Sequence, residues 1–192
     1  MEAMIPPIQR QRLDLYRLPA SYHPGASLPV QLLWFCLGAP LLAARWLPGS
    51  VWRVWLLIAF GSGVGPGCRI KPGLRVKYPW RLNLGPHCWL GEDVWIDNLA
   101  PVLLADRVCV SQGAYFCTGN HNYRKADFGL RYGSITIGSG AWIGAQAVLA
   151  PGVQIGADAV VALAAVVLKD VPAAAVVRGN PAEPIGPRWP NQ

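Results

Sequence analysis

One of the three histidines in this 192-residue chain lies where a histidine could do chemistry. His121 occurs in Cys117-Thr118-Gly119-Asn120-His121-Asn122-Tyr123, where a regular apolar pattern breaks off. An imidazole changes its charge near neutral pH, so a histidine at the root of a loop can act as a general base. From position alone, a hydrogen-bonded structural histidine is an equally good interpretation. His23, in a Pro- and Gly-rich segment, and His87, in a predicted corner, do not suggest catalysis.

Cys117 lies four residues before His121 and raises the alternative of a cysteine nucleophile activated by histidine. We disfavour it because Cys117 directly follows Phe116, a position that this chain usually fills with a small packing residue. The five cysteines include no Cys-x-x-Cys pair, so no zinc-ligand spacing is present and no metal is expected. Cys68 and Cys88 occupy the same small-residue position, which indicates packing in a reducing compartment.

The pattern that stops before His121 is an aliphatic residue at every sixth position. Six residues match neither the α-helical period of about 3.6 nor the alternation of an ordinary β-strand. The period is typical of a parallel β-helix, in which each hexad forms one short strand and one corner. Small residues follow most of these positions and allow tight turns. The longest uninterrupted set is Ile137, Ile143, Leu149, Ile155, Val161 and Val167.

The same pattern continues upstream with two displacements, between Leu82 and Leu84 and again before Leu104. Such displacements predict extra residues at corners of the β-helix. After Phe116 the pattern stops until Ile135 or Ile137, so about 15 residues should leave the β-helix as a loop, and long loops in compact folds tend to be functional. We therefore predict a mainly β protein, a parallel β-helix with one long excursion loop that carries His121.

The N-terminal third differs in kind, because it is apolar almost throughout from Leu28 to Phe60. We predict two short apolar helices, roughly over 28–46 and 50–60, that cap the open end of the β-helix. A membrane-spanning helix is possible by length, but Pro40 would lie in its middle. Peripheral seating in a membrane interface is the second interpretation. The interfacial side chains would then be Trp34, Trp46, Trp52 and Trp55.

These patterns divide the chain into an N-terminal helical region (residues 1–62), a β-helix domain (63–185) and a short tail (186–192). The N-terminus lacks the basic leader, short apolar core and cleavage site of a secretory signal. We expect a cytoplasmic protein, peripheral on the inner face of the membrane if the second interpretation of the helices holds.

The formal net charge is +7, and the cations are unevenly distributed. Five of them fall within thirteen residues that contain no acid: Arg69, Lys71, Arg75, Lys77 and Arg81. A solvated face of the first coils is the favoured interpretation, and attraction to anionic lipid head groups or to an acidic glycan is the second. No nucleic-acid partner is expected, because no recognition motif accompanies the charge.

Several short motifs in the sequence resemble those of the hexapeptide-repeat acyltransferases, and in particular those of the colanic-acid-type exopolysaccharide O-acetyltransferases. They are Met4-Ile5-Pro6-Pro7, Arg12-Leu13-Asp14-Leu15-Tyr16, Trp95-Ile96-Asp97-Asn98-Leu99-Ala100-Pro101 and Thr118-Gly119-Asn120-His121. The resemblance implies a left-handed β-helix and transfer of an acetyl group from acetyl-CoA to a sugar hydroxyl in surface polysaccharide biosynthesis. It also implies a homotrimer with the CoA groove between neighbouring subunits, and a sugar or lipid-linked saccharide as acceptor.

The resemblance assigns roles on the acceptor side of the site. His121 removes the proton from the acceptor hydroxyl, and no covalent enzyme intermediate forms. Asn98 binds the acceptor or orients the site, although an asparagine that merely forms a turn is a serious alternative.

On the donor side, Trp142 and Ala145 match positions beside the pantetheine arm of CoA, and Leu163 lines the CoA groove. Lys169 meets a phosphate of CoA as a point charge, and the His121 base is offered by a different subunit from the Trp142-to-Lys169 coils. Arg178 precedes the terminal word Gly179-Asn180-Pro181-Ala182 and lies near the same phosphates.

Three residues depart from the family pattern. Glu183 stands where a cation is usual and would repel phosphate unless Arg178 or Arg188 compensates. Leu163 replaces a smaller residue and narrows the groove, and Asn122 replaces the usual aspartate, which leaves His121 without a charged partner. A degenerate β-helix that serves as a scaffold or membrane-associated subunit is therefore the alternative function. A carbonic anhydrase on the same fold is excluded, because its three histidine ligands include a close pair and His87 and His121 are 34 residues apart.

Overall fold

The six-residue pattern forms a parallel β-helix in the computed structural model, which describes residues 10–190. The motif Met4–Pro7, which contributed to the family resemblance, and the last two residues of the tail lie outside the described residues. Nineteen short strands follow in chain order: β1 (Gly63–Val64), β2 (Arg69–Ile70), β3 (Arg75–Val76), β4 (Leu82–Leu84), β5 (Trp89–Leu90), β6 (Trp95–Asp97), β7 (Val102–Leu104), β8 (Cys109–Val110), β9 (Tyr115–Cys117), β10 (Gly119–His121), β11 (Leu130–Tyr132), β12 (Ile135–Ile137), β13 (Trp142–Ile143), β14 (Val148–Leu149), β15 (Gln154–Ile155), β16 (Val160–Val161), β17 (Val166–Val167), β18 (Ala175–Arg178) and β19 (Glu183–Pro187).

All strands except β10 and β11 stack into three faces, and each of the first five coils contributes one strand to each face. Face A consists of β1, β4, β7, β12 and β15, and face C consists of β3, β6, β9, β14 and β17. Face B consists of β2, β5, β8, β13, β16 and β18, and β19 closes it by pairing antiparallel with β18. The prediction of a mainly β, parallel β-helix is therefore confirmed. We name the three edges of this prism A–B, B–C and C–A, after the faces that the chain joins there.

The corners share one backbone geometry, which explains the small residues of the repeat. The third residue after a buried aliphatic residue has a positive φ, as at Gly140 (71°) and Gln146 (58°). The residue directly after the aliphatic position lies against the backbone of the next coil. A Cβ added to Gly138 would come within 2.4 Å of the backbone nitrogen of Ala157. The residue directly after the aliphatic position must therefore be small where successive coils approach this closely.

The displacements in the pattern are extra residues at the C–A edge. On face A, Val64 pairs with Leu84 and Leu84 pairs with Leu104, whereas the regular coil pairs Ile137 with Ile155. The first two pairings span two residues more than the regular one. The surplus is accommodated where the chain passes from face C to face A, in a 3₁₀ helix over Pro79–Arg81 and in the segment 98–101.

The excursion loop leaves from the same edge as an antiparallel β-hairpin. β10 and β11 pair with His121 opposite Leu130 and Gly119 opposite Tyr132. Gly133 donates a backbone hydrogen bond of 3.0 Å to the Thr118 carbonyl and closes the base of the hairpin. The predicted excursion is thus an ordered element that carries His121 at the end of a strand.

Helices cover the open end of the first coil. α1 (Leu28–Leu33) continues through a π-helical turn (Trp34–Gly38) into α2 (Ala39–Leu42), and α3 (Val51–Ala59) returns beside them. Trp34 Nε1 donates to the Val76 carbonyl, and Ser50 Oγ accepts from the Ile70 N–H. Both contacts fix the helices to the coil. Within the described residues, no helix combines the length and the apolar character that a membrane crossing requires.

Candidate active site

The imidazole of His121 is held on two sides by the hairpin that carries it. Its Nδ1 lies 2.8 Å from the carbonyl oxygen of Phe128. A carbonyl can only accept, so Nδ1 carries the proton and Nε2 of the neutral ring carries the lone pair. The Phe128 ring stacks on the imidazole with centroids 4.4 Å apart and planes inclined by 6°. His121 is half-buried, so the ring orientation is fixed while one edge remains reachable.

Phe128 owes its position to an uncommon backbone conformation. Its φ is 49°, in the left-handed region that a bulky residue seldom adopts. Local hydrogen bonds hold this turn, including one of 3.1 Å from the Phe128 N–H to the Lys125 carbonyl. Strained residues of this kind occur where the surrounding structure requires them. Here the turn places both the Phe128 carbonyl and the Phe128 ring against His121.

The N-terminal arm, residues 10–24, forms the third side of the site. Tyr16 meets His121 edge to face with ring centroids 5.6 Å apart, and Tyr22 meets Tyr132 at 5.4 Å. The Arg12 N–H donates to the Ala126 carbonyl at 2.7 Å. The arm therefore runs along the hairpin and adds an edge-to-face contact to the imidazole.

Asn98 lies on the same C–A edge, one coil before the hairpin, and its side chain is fully buried. Its Oδ1 accepts from the Tyr78 N–H at 2.8 Å, and its Nδ2 donates to the Tyr78 carbonyl at 2.7 Å. Both amide atoms are thus engaged with backbone rather than directed into a groove. Burial also raises the pKa of Tyr78 to about 12, so this phenol stays neutral at physiological pH. The geometry favours the turn-forming alternative over direct acceptor binding.

The donor-side residues are divided between two edges. Ala145 and Leu163 lie at consecutive B–C corners, where the Ala164 N–H donates to the Ala145 carbonyl at 2.8 Å. Trp142 precedes this corner on face B, and its Nε1 donates to Ser111 Oγ at 2.9 Å. Arg178 ends β18 above the same edge. Lys169 instead follows β17 at the C–A edge, the edge that carries His121.

The remaining candidates take structural positions. Cys117 Sγ donates to the Gly119 carbonyl at 3.0 Å and makes no hydrogen bond to His121, which removes the support for a cysteine nucleophile. His87 is exposed at a corner with a φ of 59°. Arg188 donates to the carbonyls of Gly140 and Asp158, whereas Arg178 lies opposite Glu183 across the β18–β19 pair. Across residues 10–190, no cluster of His, Cys, Asp or Glu could hold a metal ion.

Sequence reasoning missed Phe128 and the packing role of Tyr16. The hydrogen bond from His121 to Phe128 replaces the charged partner that Asn122 does not supply. No spacing rule points to Phe128, because its contact depends on the turn of the hairpin. Tyr16 belongs to the motif Arg12–Tyr16, which contributed to the family resemblance. That motif gave no indication that Tyr16 would pack against His121.

Comparisons with known proteins agree with this fold. Residues 134–167 match the family model described as bacterial transferase hexapeptide (six repeats). The chain is 36% identical to the putative colanic acid biosynthesis acetyltransferase of Escherichia coli strain K12, over 90% of this chain and 94% of that protein. It is 33% identical to nodulation protein L of Rhizobium meliloti, over 68% of this chain and 73% of that protein.

A solved structure gives the same result. A hexapeptide-repeat acetyltransferase of Vibrio cholerae, in complex with acetyl coenzyme A, superposes with a TM-score of 0.73 at 28% identity, covering 85% of this chain and 91% of that chain. The chain therefore belongs to the hexapeptide-repeat transferase family, among its acetyltransferases.

A substitution at Asn98 tests its structural role. Asn98→Ala should lower the free energy of unfolding by about 1–3 kcal/mol, because it leaves the buried N–H and carbonyl of Tyr78 without partners. Asn83→Ala, which removes an exposed amide from β4, is the matched control and should change stability far less. Denaturant titration followed by circular dichroism measures both. Unchanged stability in Asn98→Ala would show that the two hydrogen bonds between Asn98 and Tyr78 are dispensable for folding. It would favour the alternative that Asn98 binds the acceptor.

Proposed function

We propose that this protein transfers an acetyl group from acetyl-CoA to a hydroxyl group of a sugar in a surface polysaccharide precursor, with His121 as general base. The observation that carries the proposal is the orientation of His121, whose Nδ1–H is bound by the Phe128 carbonyl so that Nε2 can accept a proton. The relative from Escherichia coli is named for colanic acid biosynthesis, and the Vibrio cholerae relative was solved with acetyl coenzyme A. These names support the choice of acceptor and donor.

The reaction needs one proton carrier. Nε2 of His121 takes the proton of the sugar hydroxyl while the oxygen attacks the thioester carbonyl, and a tetrahedral oxyanion forms. Collapse of that intermediate breaks the carbon–sulfur bond, and the imidazolium returns the proton to the departing CoA sulfur. Holding both substrates in one groove supplies much of the rate. A backbone N–H that faces the carbonyl stabilises the oxyanion.

The Phe128 carbonyl is a sufficient partner for His121 in this scheme. An orienting acceptor fixes the tautomer and the direction of Nε2, which is the larger part of what a carboxylate does in comparable sites. A neutral carbonyl stabilises the transient imidazolium less than a carboxylate does. The Asn122 departure therefore changes the strength of the base without removing its function.

Division of the candidate residues between two edges supports a site shared by protomers. His121 and Lys169 lie along the C–A edge, whereas Trp142, Ala145 and Leu163 lie along the B–C side. Two edges of one prism are separated by a face, so one protomer cannot bring both sets around one small substrate. In a closed ring, the C–A edge of one protomer meets the B–C edge of the next. This arrangement fits the expected homotrimer with one change: Lys169, which the family resemblance places on the neighbouring subunit, lies on the same edge as His121 and so belongs to the protomer that supplies His121.

Removal of the base tests the mechanism. His121→Ala should lower turnover by about 10²–10⁴-fold, the usual contribution of a general base, while circular dichroism shows an intact fold. His87→Asn is the control and should keep its activity, because asparagine tolerates the left-handed corner conformation. Thiol release from acetyl-CoA in the presence of sugar-nucleotide and lipid-linked acceptors is the assay. Equal losses in the two variants, or none in either, contradict the assignment.

Mixing variants that are impaired at different residues tests the shared site. Trimers refolded from equal amounts of His121→Ala and Trp142→Ala chains should regain activity at about a quarter of their sites, because a site needs His121 and Trp142 from neighbouring protomers. The control mixture is His121→Ala with Lys169→Ala, assayed at low acetyl-CoA, and its activity should not exceed the average of the two unmixed variants, because both residues come from one protomer. A monomeric mass by light scattering, or recovery in both mixtures, would overturn the arrangement.

Charge changes at the phosphate end test the donor assignment. Glu183 lies opposite Arg178 across the β18–β19 pair, so it weakens the local positive potential. Lys169→Ala should raise the KM for acetyl-CoA about two- to fivefold with little change in kcat, since the lost contact is the same in ground and transition states. Glu183→Lys should lower the KM by a similar factor, and added salt should shrink both effects. A higher KM in Glu183→Lys would show that the phosphates bind elsewhere.

A further inference from the structure

The helices over the first coil bury one stripe and leave the rest of their apolar surface uncovered. We call the region 28–60 the cap. Its buried stripe consists of Trp34, Gly38 and Leu42, each four residues from the last, together with Arg53 and Leu57 from α3. The guanidinium of Arg53 donates to the carbonyls of Ala44, Leu47 and Gly49 and so fixes the connection between the helices.

The outward surface of the cap is as apolar as its buried stripe. Trp46 is 79% exposed, Trp55 is 66% exposed and Leu37 is 62% exposed. A helix that is apolar on all sides is normally buried on all sides, and contiguous exposed apolar surface marks an interaction site. The other exposed apolar residues of the cap are Leu28, Val30, Leu32, Leu33, Phe35, Leu41, Val51 and Ile58.

The charged residues of the cap and of the first coil are all cations, and two of them pair with acids of the second coil, Arg45 with Asp93 and Lys77 with Asp97. The sequence contains no Asp or Glu between Asp14 and Glu92, and eight cations fall in that interval: Arg17, Arg45, Arg53, Arg69, Lys71, Arg75, Lys77 and Arg81. Arg69, Lys71 and Arg75 are exposed on the first coil beneath the cap. The Ile70–Ser50 and Trp34–Val76 hydrogen bonds place them beside α3 and α2.

Cations at the rim of an apolar surface with exposed tryptophans match the requirements of an anionic bilayer surface. Tryptophan favours the head-group level, apolar side chains enter the acyl boundary, and each Lys or Arg near the surface is attracted by anionic lipid. A second copy of the chain fits less well, because a two-fold contact through this surface would bring rim cations toward rim cations.

We propose that the outward surface of the cap docks the protein on an anionic lipid bilayer, with Trp46 and Trp55 at the head-group level and Lys71 facing the lipid phosphates. Arg69 and Arg75, whose guanidinium groups lie over the Trp89 and Trp95 rings of the second coil, are drawn to the same phosphates from the rim of the cap. Docking through this surface holds residues 10–190 beside the bilayer, and it requires no helix of that part of the chain to span the membrane. The proposal does not depend on the acetyl transfer, since it rests on the surface of the cap alone.

Vesicle sedimentation of the full chain tests the apolar contact. The protein should pellet with phosphatidylglycerol/phosphatidylcholine vesicles and much less with pure phosphatidylcholine. Trp55→Ser should weaken binding about tenfold, and the double variant with Trp46→Ser about a hundredfold, because apolar area is lost from the contact. Trp189→Ser removes an exposed tryptophan from the tail and is the matched control, with no expected change. Quenching of tryptophan fluorescence by brominated lipid should be lost in the double variant and kept in the control.

Charge variants test the electrostatic contact separately. Arg69→Gln with Lys71→Gln should weaken binding to the anionic vesicles about 30-fold, at roughly fivefold per cation, and high salt should remove the difference. Arg107→Gln with Arg124→Gln removes the same charge from exposed positions elsewhere and should have a much smaller effect. Failure to pellet with either vesicle, or equal losses in both double variants, would overturn the proposal. A smaller particle mass for Trp46→Ser/Trp55→Ser by light scattering, without vesicle binding by the wild type, would assign the surface to a second copy.

Discussion

Backbone hydrogen bonding between successive coils is the constraint on which the rest of the structure depends. Each short strand on a face pairs in parallel with the strand one coil above and one coil below, so residues on a face cannot be added or removed without breaking the register. Only the corners tolerate insertion. Within residues 10–190, the three insertions into the regular coil all lie at the C–A edge: the 3₁₀ helix at Pro79–Arg81, the segment 98–101 and the His121 hairpin. The regular coils thus act as a rigid frame, and one edge of that frame holds the irregular chain.

This concentration of insertions explains how the candidate base is oriented. A hairpin that leaves a corner must satisfy its own backbone groups, and it does so by pairing β10 with β11. Its turn then returns Phe128 to the His121 ring at a stacking distance of 4.4 Å. Tyr16 of the N-terminal arm adds an edge-to-face contact to the His121 ring. An imidazole oriented by packing and by one carbonyl needs no neighbouring carboxylate, which accounts for the Asn122 departure in structural terms.

Much of the fold could be predicted from the sequence, but less of the candidate site could. A period of six predicted the parallel β-helix, since buried aliphatic residues recur once per strand and corner. Displacements at Leu82–Leu84 and before Leu104 predicted corner insertions, and the interruption after Phe116 located the excursion. The contacts of His121 were not predictable, because they depend on the φ of Phe128 and on an arm more than a hundred residues away in sequence. The placement of Asn98 was ambiguous for the same reason, since turn formation and ligand binding favour the same residue type.

The amino-acid sequence of the cap fits two different environments, the end of the β-helix on its inner side and a second contact on its outer side. Residues four apart along the π-helical turn and α2 must fit the end of the β-helix, and Gly38 is required there because a Cβ would come within 2.3 Å of the Trp34 ring. No packing against the coil explains the apolar residues between them, such as Leu37. A solenoid end needs only one covering layer, and a layer in contact with water on its outer side would carry polar residues. The apolar outer side of this cap, above a coil whose exposed cations include Arg69 and Arg75, therefore points to selection for a second contact rather than for folding alone.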